Sequence, residues 1–524
     1  MSPGVKIPRV PPVVSVAVLC LGGMTAALTQ TLVIPIQSEL PGLLGTSASS
    51  AAWVVTVTLL AAAVAMVVAG RLADLFGKQR VLVASAAALV VGSLVCAVSS
   101  SLLPMLAGRA LQGLAMGFIP VGISLIREIT PPKMASTSLA AMSATLGVGG
   151  AIGLPLSAWI VNTFDWHALF WVSSGVAGLV LLLSVFAVPH VRDSRNGSMD
   201  VGGALGLAAG LVAFLVGISK GNDWGWRSPS TLGAIIGGVV VLVAWAGYEL
   251  RRAEPLVDMR ATAKRPVLMT NIAAVAVGFG MMAQSVVVPQ LLQLPEATGF
   301  GLGQSVLAAG LWMAPGGVMM LLFAPVSSKL IATLGARLTL ALGASVLSSG
   351  YLIGALWMNA AWQLLLVSAV TSAGVGIGYA AMPTLIMDAT PPSEAGAAVG
   401  LNALSRSVGA TIAAAVMGTL LASNTVSLGS AQVPDQDAFR LCFIVGAVAA
   451  LLGAALAVLI SGRRSAATDT AVAGSPMVTG SPMVTGSPVV ADDAAATVTH
   501  LDAQAAFAPT ARTAEQAPDI TTRV

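Results

Sequence analysis

Fourteen apolar runs, each about as long as a bilayer is thick, fill this chain almost from end to end. A helix needs about 20 apolar residues to cross the hydrocarbon core. The runs predict spans at 13–36, 51–70, 80–99, 102–126, 138–162, 168–188, 201–219, 231–249, 267–290, 303–325, 337–357, 361–387, 396–422 and 439–461. Charge agrees: only 9% of the 524 residues are Asp, Glu, Lys or Arg, against about 25% in soluble domains. A water-exposed fold could not cover its surface with so few ions, whereas lipid asks for none. The chain therefore reads as an all-α membrane protein in contact with a lipid bilayer.

An even number of spans places both termini on one side, and the basic residues say which. With the N-terminus inside, the inside segments hold 20 of the 25 Lys and Arg. These are Lys6 and Arg9, then Arg71, Lys78 and Arg80, then Arg127 and Lys133, then Arg192 and Arg195. Arg251, Arg252, Arg260, Lys264 and Arg265 follow, with Lys329 and Arg337, and Arg463, Arg464, Arg512 and Arg523 in the tail. This asymmetry predicts an N-in, C-in topology. From about residue 461 the chain changes character: GSPMVT recurs from Gly474 among Ala, Thr and Asp, without apolar period. Residues 462–524 are expected to be a disordered tail.

The loops carry a duplication. Glu128-Ile-Thr-Pro-Pro-Lys-Met-Ala135 recurs as Asp388-Ala-Thr-Pro-Pro-Ser-Glu-Ala395, an offset of 260. Arg71-Leu-Ala-Asp-Leu-Phe-Gly77 has a weaker partner in Lys329-Leu-Ile-Ala-Thr-Leu-Gly335, offset 258, and Gly149 matches Gly409, offset 260. The loop after span 4 thus matches the loop after span 12, a displacement of eight helices. Two six-helix halves with a pair inserted between them, a 6+2+6 order, give that arithmetic. The divisions expected are 1–12, N-terminus; 13–190, first half; 191–265, inserted helices and linker; 266–461, second half; and 462–524, tail.

Ionisable and polar residues inside spans are costly and mark sites. Arg109 and Gln112 in span 4 are such residues, followed by Gly113 and Met116. An arginine snorkelling to the interface is the competing reading of Arg109. In span 13, Asn402 and Arg406 are four apart and share a face; structural bonds to carbonyls are the alternative for Arg406. Thr25, Thr29 and Gln30 in span 1, Met116 in span 4, Asn271 and Gln284 in span 9, Trp312 in span 10, Tyr379 in span 12, and Asn402 and Arg406 in span 13 are candidates for a cavity lining. Phe279, Met281, Met282, Met313 and Met382 lie near them, and methionine suits adaptable apolar pockets. Gly149 and Gly153 in span 5 form a small-residue face for close packing beside Pro155. The segment Gly70-Arg71-Leu-Ala-Asp74-Leu-Phe-Gly77-Lys78-Gln-Arg80 reads as a tight basic turn with one carboxylate. Its simpler reading is inside charge plus a turn.

That segment resembles the cytoplasmic loop signature of the major facilitator superfamily, matching at Gly70, Leu72, Asp74, Gly77 and Lys78 and departing at Leu75. Span 4 resembles the same family's l-x-x-x-R-x-x-q-G motif at Arg109, Gln112 and Gly113. Span 5 is similar to the antiporter motif g-x-x-x-G-P-x-x-G-G, although Leu154 stands where proline is usual and Ser157 and Ala158 replace the glycine pair. With fourteen spans, the chain looks most like the drug:proton antiporters. The resemblance implies a major facilitator fold and an exporter of lipophilic or amphipathic small molecules, cations among them, in a bacterial cytoplasmic membrane. It implies alternating access, protons as co-substrate, and a monomer. It also implies a gating loop, in which Asp74 would face the start of span 13 and Arg80 would pair with Glu128. Arg109 would serve proton coupling. The acid usual in span 1 is Thr29 here, leaving Glu39 and Asp165 as nearest substitutes.

Competing classes lack their chemistry. No G-x-x-x-x-G-K-[ST] loop supports ATP hydrolysis. The sequence offers no catalytic cluster and no metal or cofactor set, since Cys20, Cys96 and Cys442 lie in separate runs and His167, His190 and His500 are isolated. The small net charge of +4 gives no nucleic-acid surface. An importer or specialised metabolite exporter of the same fold is the nearest rival. A receptor or channel explains neither the duplication nor the loop signature.

Overall fold

The computed structural model describes residues 10–34, 36–37, 39–191, 198–391, 394–428 and 431–460. Lys6, Arg9, Arg192, Arg195 and the 462–524 tail with its arginines lie outside them. The expected fourteen spans form fourteen helices. Spans 1 to 7 are Pro12–Thr31, Ser49–Phe76, Lys78–Ala97, Leu102–Ile129, Lys133–Thr163, Ala168–Ala187 and Val201–Trp224. Spans 8 to 14 are Pro229–Glu249, Arg265–Gln293, Val306–Leu334, Ala336–Leu356, Ala361–Ala389, Ala395–Ser423 and Gln436–Val458.

Side chains and glycines set the ends. Asp200, Ser228, Ser305 and Asp435 cap spans 7, 8, 10 and 14, each accepting a backbone N–H three residues on at 2.6–3.2 Å. Gly77 ends span 2 at φ +96° and Gly335 ends span 10 at φ +83°, a region that side chains avoid. These two glycines are partners in the sequence duplication.

Helix ends differ from the hydropathy reading in two places. Span 2 runs on through Arg71–Phe76, so the expected turn is helix up to Gly77. The residues Arg-Leu-Ala-Asp-Leu-Phe favour helix, and only hydropathy falls there. Span 10 likewise carries Lys329 to its end at Leu334. Span 4 is interrupted by a 3₁₀ turn at Ala115–Gly117. Between spans 13 and 14, Thr425–Leu428 and Ala431–Pro434 pair as an antiparallel hairpin that periodicity did not suggest.

Lipid gives apolar helices no hydrophobic reason to associate, so close packing through small residues carries the assembly. Spans 1 to 6 contact one another, and spans 9 to 14 do the same. The two sets meet where span 2 packs on span 13 and span 5 on span 10. The eight-helix displacement converts one of these pairs into the other. Glycines line both seams: a side-chain carbon on Gly70 would collide with the Gly396 carbonyl, one on Gly400 with that of Met66, and one on Gly310 would lie 3.1 Å from the Pro155 nitrogen. Spans 7 and 8 pack mainly on each other, and span 7 also touches spans 2 and 13. Lys220 of span 7 bonds Asp223 at 2.9 Å and stands 5.5 Å from the Trp53 ring centre. Span 8 leaves Ile236, Val240 and Val243 exposed, as a lipid-facing helix does.

Candidate functional site

At the bundle end that carries Gly77, the seam between span 2 and span 13 is sealed by polar contacts. Asp74, 6% exposed, accepts the Ala397 backbone N–H at 3.1 Å. Ala397 is in the first turn of span 13, where unpaired N–H groups and the helix dipole favour a carboxylate. A carboxylate of one half thus caps a helix of the other. Arg127 donates to Asp388 at 3.0 Å between spans 4 and 12. The hydroxyls of Ser136 and Thr137 meet that of Ser328 at 2.8 and 2.9 Å, between spans 5 and 10.

Within the first half, Glu128 pairs with Lys78, not with Arg80 as the resemblance implied. Lys78 opens span 3 and is buried facing span 4, whereas Arg80, two residues on, points away and is exposed. Arg71 is buried, and its Nε has no hydrogen-bond partner among the described residues. It borders a cavity of about 340 Å³ shared with Glu254, Asp258 and Thr390.

The Arg127–Asp388 pair is exposed, and such pairs contribute about 0–1 kcal/mol. Arg127→Ala should therefore leave the melting temperature within a few degrees of wild type in a thermal-shift assay. A large loss would show that this pair, rather than the buried Asp74 cap, holds the seam.

Mid-bundle, Arg109 does not snorkel. It is 1% exposed and donates to the Val54 and Thr29 carbonyls at 3.2 and 3.1 Å and to Gln112 Oε1 at 2.7 Å. Gln112 Nε2 donates to Ser93 Oγ at 2.9 Å, and Ser173 Oγ lies 3.1 Å from both Ser93 Oγ and Thr29 Oγ1. One buried network thus ties spans 1, 2, 3, 4 and 6. Ser93 and Ser173 escaped the sequence reading because a lone serine in an apolar run carries no signal. Glu39 and Asp165 do not reach this network. Glu39 is exposed in the turn after span 1. Asp165 is exposed and pairs with His167, whose backbone N–H and ring hold its carboxyl below the usual carboxylate range.

A second buried arginine organises the other half. Arg406 donates to Tyr379 Oη at 2.8 Å and Asn402 Oδ1 at 2.6 Å, and lies 4.4 Å from the Tyr379 ring centre. Asn402 Nδ2 donates to Asn271 Oδ1 at 3.0 Å. Four expected cavity residues are therefore one structural network between spans 9, 12 and 13.

The main cavity lies elsewhere. About 820 Å³ in volume, it reaches from mid-bundle to the end opposite Gly77, between spans 1, 2 and 5 of one half and spans 9, 10 and 12 of the other. Gln37, Gln284, Gln290 and Gln293, with Thr31, Ser285 and Ser372, supply its polar side chains, and Met281, Met282, Met313 and Met320 much of its apolar wall. Of the ten cavity residues proposed from sequence, Gln284 lines it. Thr25 and Thr29 are buried in span 1, where Thr31 faces the cavity instead. Met116 is core, Trp312 bonds Gln304 at 3.2 Å, and Gln30 is not among the lining. Gly149 and Gly153 seat span 5 against span 1, and Pro155 faces Gly310 of span 10.

Comparison with known proteins gives a family. The family model described as Major Facilitator Superfamily matches residues 19–414 and 270–501. An uncharacterized MFS-type transporter of Mycobacterium tuberculosis is 28% identical over 408 residues, 77% of this chain. The match spans 58% of that relative's length. A probable actinorhodin transporter of Streptomyces coelicolor is 28% identical over 408 residues, 75% of this chain and 69% of that one. The tetracenomycin C resistance and export protein of Streptomyces glaucescens is 26% identical over 417 residues, 77% of this chain and 75% of that one. Among solved structures, the human organic anion transporter TETRAN overlays with a TM-score of 0.61 at 16% identity, covering 85% of this chain and 99% of that one. The proton:xylose symporter XylE overlays at 0.57 and 14%, covering 85% and 94%.

Proposed function

Because the chain belongs to the major facilitator superfamily, a family of multi-pass membrane transporters and not of enzymes, we propose that it is a secondary active exporter of lipophilic or amphipathic small molecules driven by proton antiport. The carrying observation is the 820 Å³ cavity lined by methionine and glutamine, closed at the Asp74 end and reaching the other. A volume of this size suits a drug-sized ligand. Relatives named for actinorhodin transport and tetracenomycin C export support outward movement of such compounds.

In this reading the halves are 13–190 and 266–461 in a 6+2+6 order, with both termini in the cytoplasm of a bacterial cell and the tail there too. The Asp74 seam is then the cytoplasmic gate, and the conformation described faces outward. Alternating access rocks the halves so that the gate parts while the cavity mouth closes. Gly70, Arg71, Asp74, Gly77, Lys78, Arg80 and Glu128 belong to the gating segment. The Arg109–Gln112 network, buried where the helices of the first half converge, is the coupling candidate. Substrate occupies the cavity beside Gln284 as a single chain's ligand, so a monomer suffices.

Efflux of a fluorescent dye from pump-deficient cells expressing the chain tests this. The expected result is energy-dependent efflux that a protonophore abolishes. Dye accumulation above the vector control would instead identify an importer.

A further inference from the structure

Resting on the export reading, we infer that the cavity selects uncharged, acceptor-bearing molecules and rejects lipophilic cations. Three separate features of the site lead there. Its lining contains no Asp, Glu, Lys or Arg among the described residues. A cation leaving water for such a wall loses its hydration and gains no counter-charge. The lining also contains no Phe, Tyr or Trp, so the aromatic faces that hold quaternary ammonium groups elsewhere are missing.

The third feature is the field behind the wall. Arg109 and Arg406 are both buried, and each makes its bonds to carbonyl, amide or phenol oxygens. Neither has a carboxylate partner among the described residues. Each half thus contains a buried positive charge without a carboxylate partner, and that of Arg109 is close to the cavity. Thr31 of the lining is two residues from the Thr29 carbonyl that Arg109 holds, and Val55 is next to Val54. This field opposes a cation and suits the oxygen atoms of a neutral molecule.

What the wall offers is hydrogen bonding without charge. Gln37 and Gln290 are exposed, and their side-chain amides make no hydrogen bond among the described residues. Each amide presents two donors and an acceptor carbonyl. Gln284 accepts from the Thr371 hydroxyl, which leaves its amide donor for a ligand. The four methionines supply polarisable surface for flat rings. Carbonyl and hydroxyl groups on an apolar skeleton match this set.

Binding to the purified full chain in nanodiscs, against empty nanodiscs, tests the inference apart from transport. The probes are Nile red (neutral), ethidium (permanently cationic) and fluorescein (anionic). Nile red should bind at least tenfold more tightly than ethidium and no less tightly than fluorescein. Comparable affinity for ethidium, tighter binding of fluorescein, or no Nile red binding would overturn the inference. Gln290→Glu places a carboxylate on an exposed wall position and should raise ethidium affinity about tenfold; no gain in a folded variant counts against the uncharged wall as the cause. Dye efflux from cells is scored separately. Selective binding without Nile red efflux would sink the export reading and leave the selectivity standing, whereas efflux of ethidium as fast as Nile red would do the reverse.

Discussion

Gly70→Leu is expected to lower transport at least tenfold while the protein still inserts and accumulates. The hydrogen on Gly70 Cα is all that separates span 2 from the backbone of Gly396, whose carbonyl carbon would lie 2.7 Å from an added side-chain carbon. Backbone cannot turn aside as a flexible side chain does. The two helices must therefore part, and the Asp74 carboxylate loses the Ala397 N–H it now caps at 3.1 Å. A shift of about 1.4 kcal/mol between two conformations changes their ratio tenfold, and steric exclusion of four carbons exceeds that. Spin labels at Arg127→Cys and Asp388→Cys report the seam directly, because these residues face each other across it. The variant should lengthen their separation. Wild-type efflux with an unchanged distance distribution would show that closure of this seam is not part of the cycle. Asp74→Asn should act in the same direction but less strongly. The amide still accepts the N–H and loses only its charge at the helix terminus, up to about 2 kcal/mol in partly buried cases.

The second large effect is at Arg109. Arg109→Leu strips the Thr29 carbonyl and the Gln112 side-chain oxygen of the donor they share, while the Val54 carbonyl keeps the Thr58 hydroxyl. Leaving a buried polar group unpaired costs about 1–3 kcal/mol, so two together take a large part of the margin by which most domains stay folded. We expect transport to vanish and the melting temperature to fall by many degrees. Arg109→Lys separates the two roles. An ammonium keeps the charge but lacks the fork that reaches spans 1, 2 and 4 together. It should restore much of the thermal stability and little of the transport. Full transport by the leucine variant would exclude Arg109 from coupling.

Much of the fold was legible because a bilayer enforces one period and one length. Fourteen runs became fourteen helices, and the duplicated loop residues became paired turns at Gly77 and Gly335. Legibility failed where hydropathy and helix propensity part company. Arg71–Phe76 carries two charges that lower its hydropathy but is helical by preference, and the helix prevailed. The site was harder to read. A buried polar residue and a cavity-lining one look alike in sequence, since both interrupt an apolar run. Thr29, Asn271, Tyr379, Asn402 and Arg406 interrupt runs in order to bond one another or their neighbours. Gln37, Gln290 and Gln293 lie near span ends, where polar residues are commonplace, and became visible only when two halves enclosed them. The Lys78–Glu128 pair turned on which face of a helix two neighbouring bases occupy, a matter of some 200° of rotation that spacing alone did not resolve.

Spans 7 and 8 are a self-contained hairpin leaning on span 2 and span 13. Its consequence is one of parity. Two crossings return the chain to the side it left, so the second half keeps the orientation of the first. One additional crossing would turn the second half upside down and destroy the match between the span 2–span 13 and span 5–span 10 seams. An ancestral chain could therefore acquire such a hairpin in a single step, without an intermediate of inverted topology.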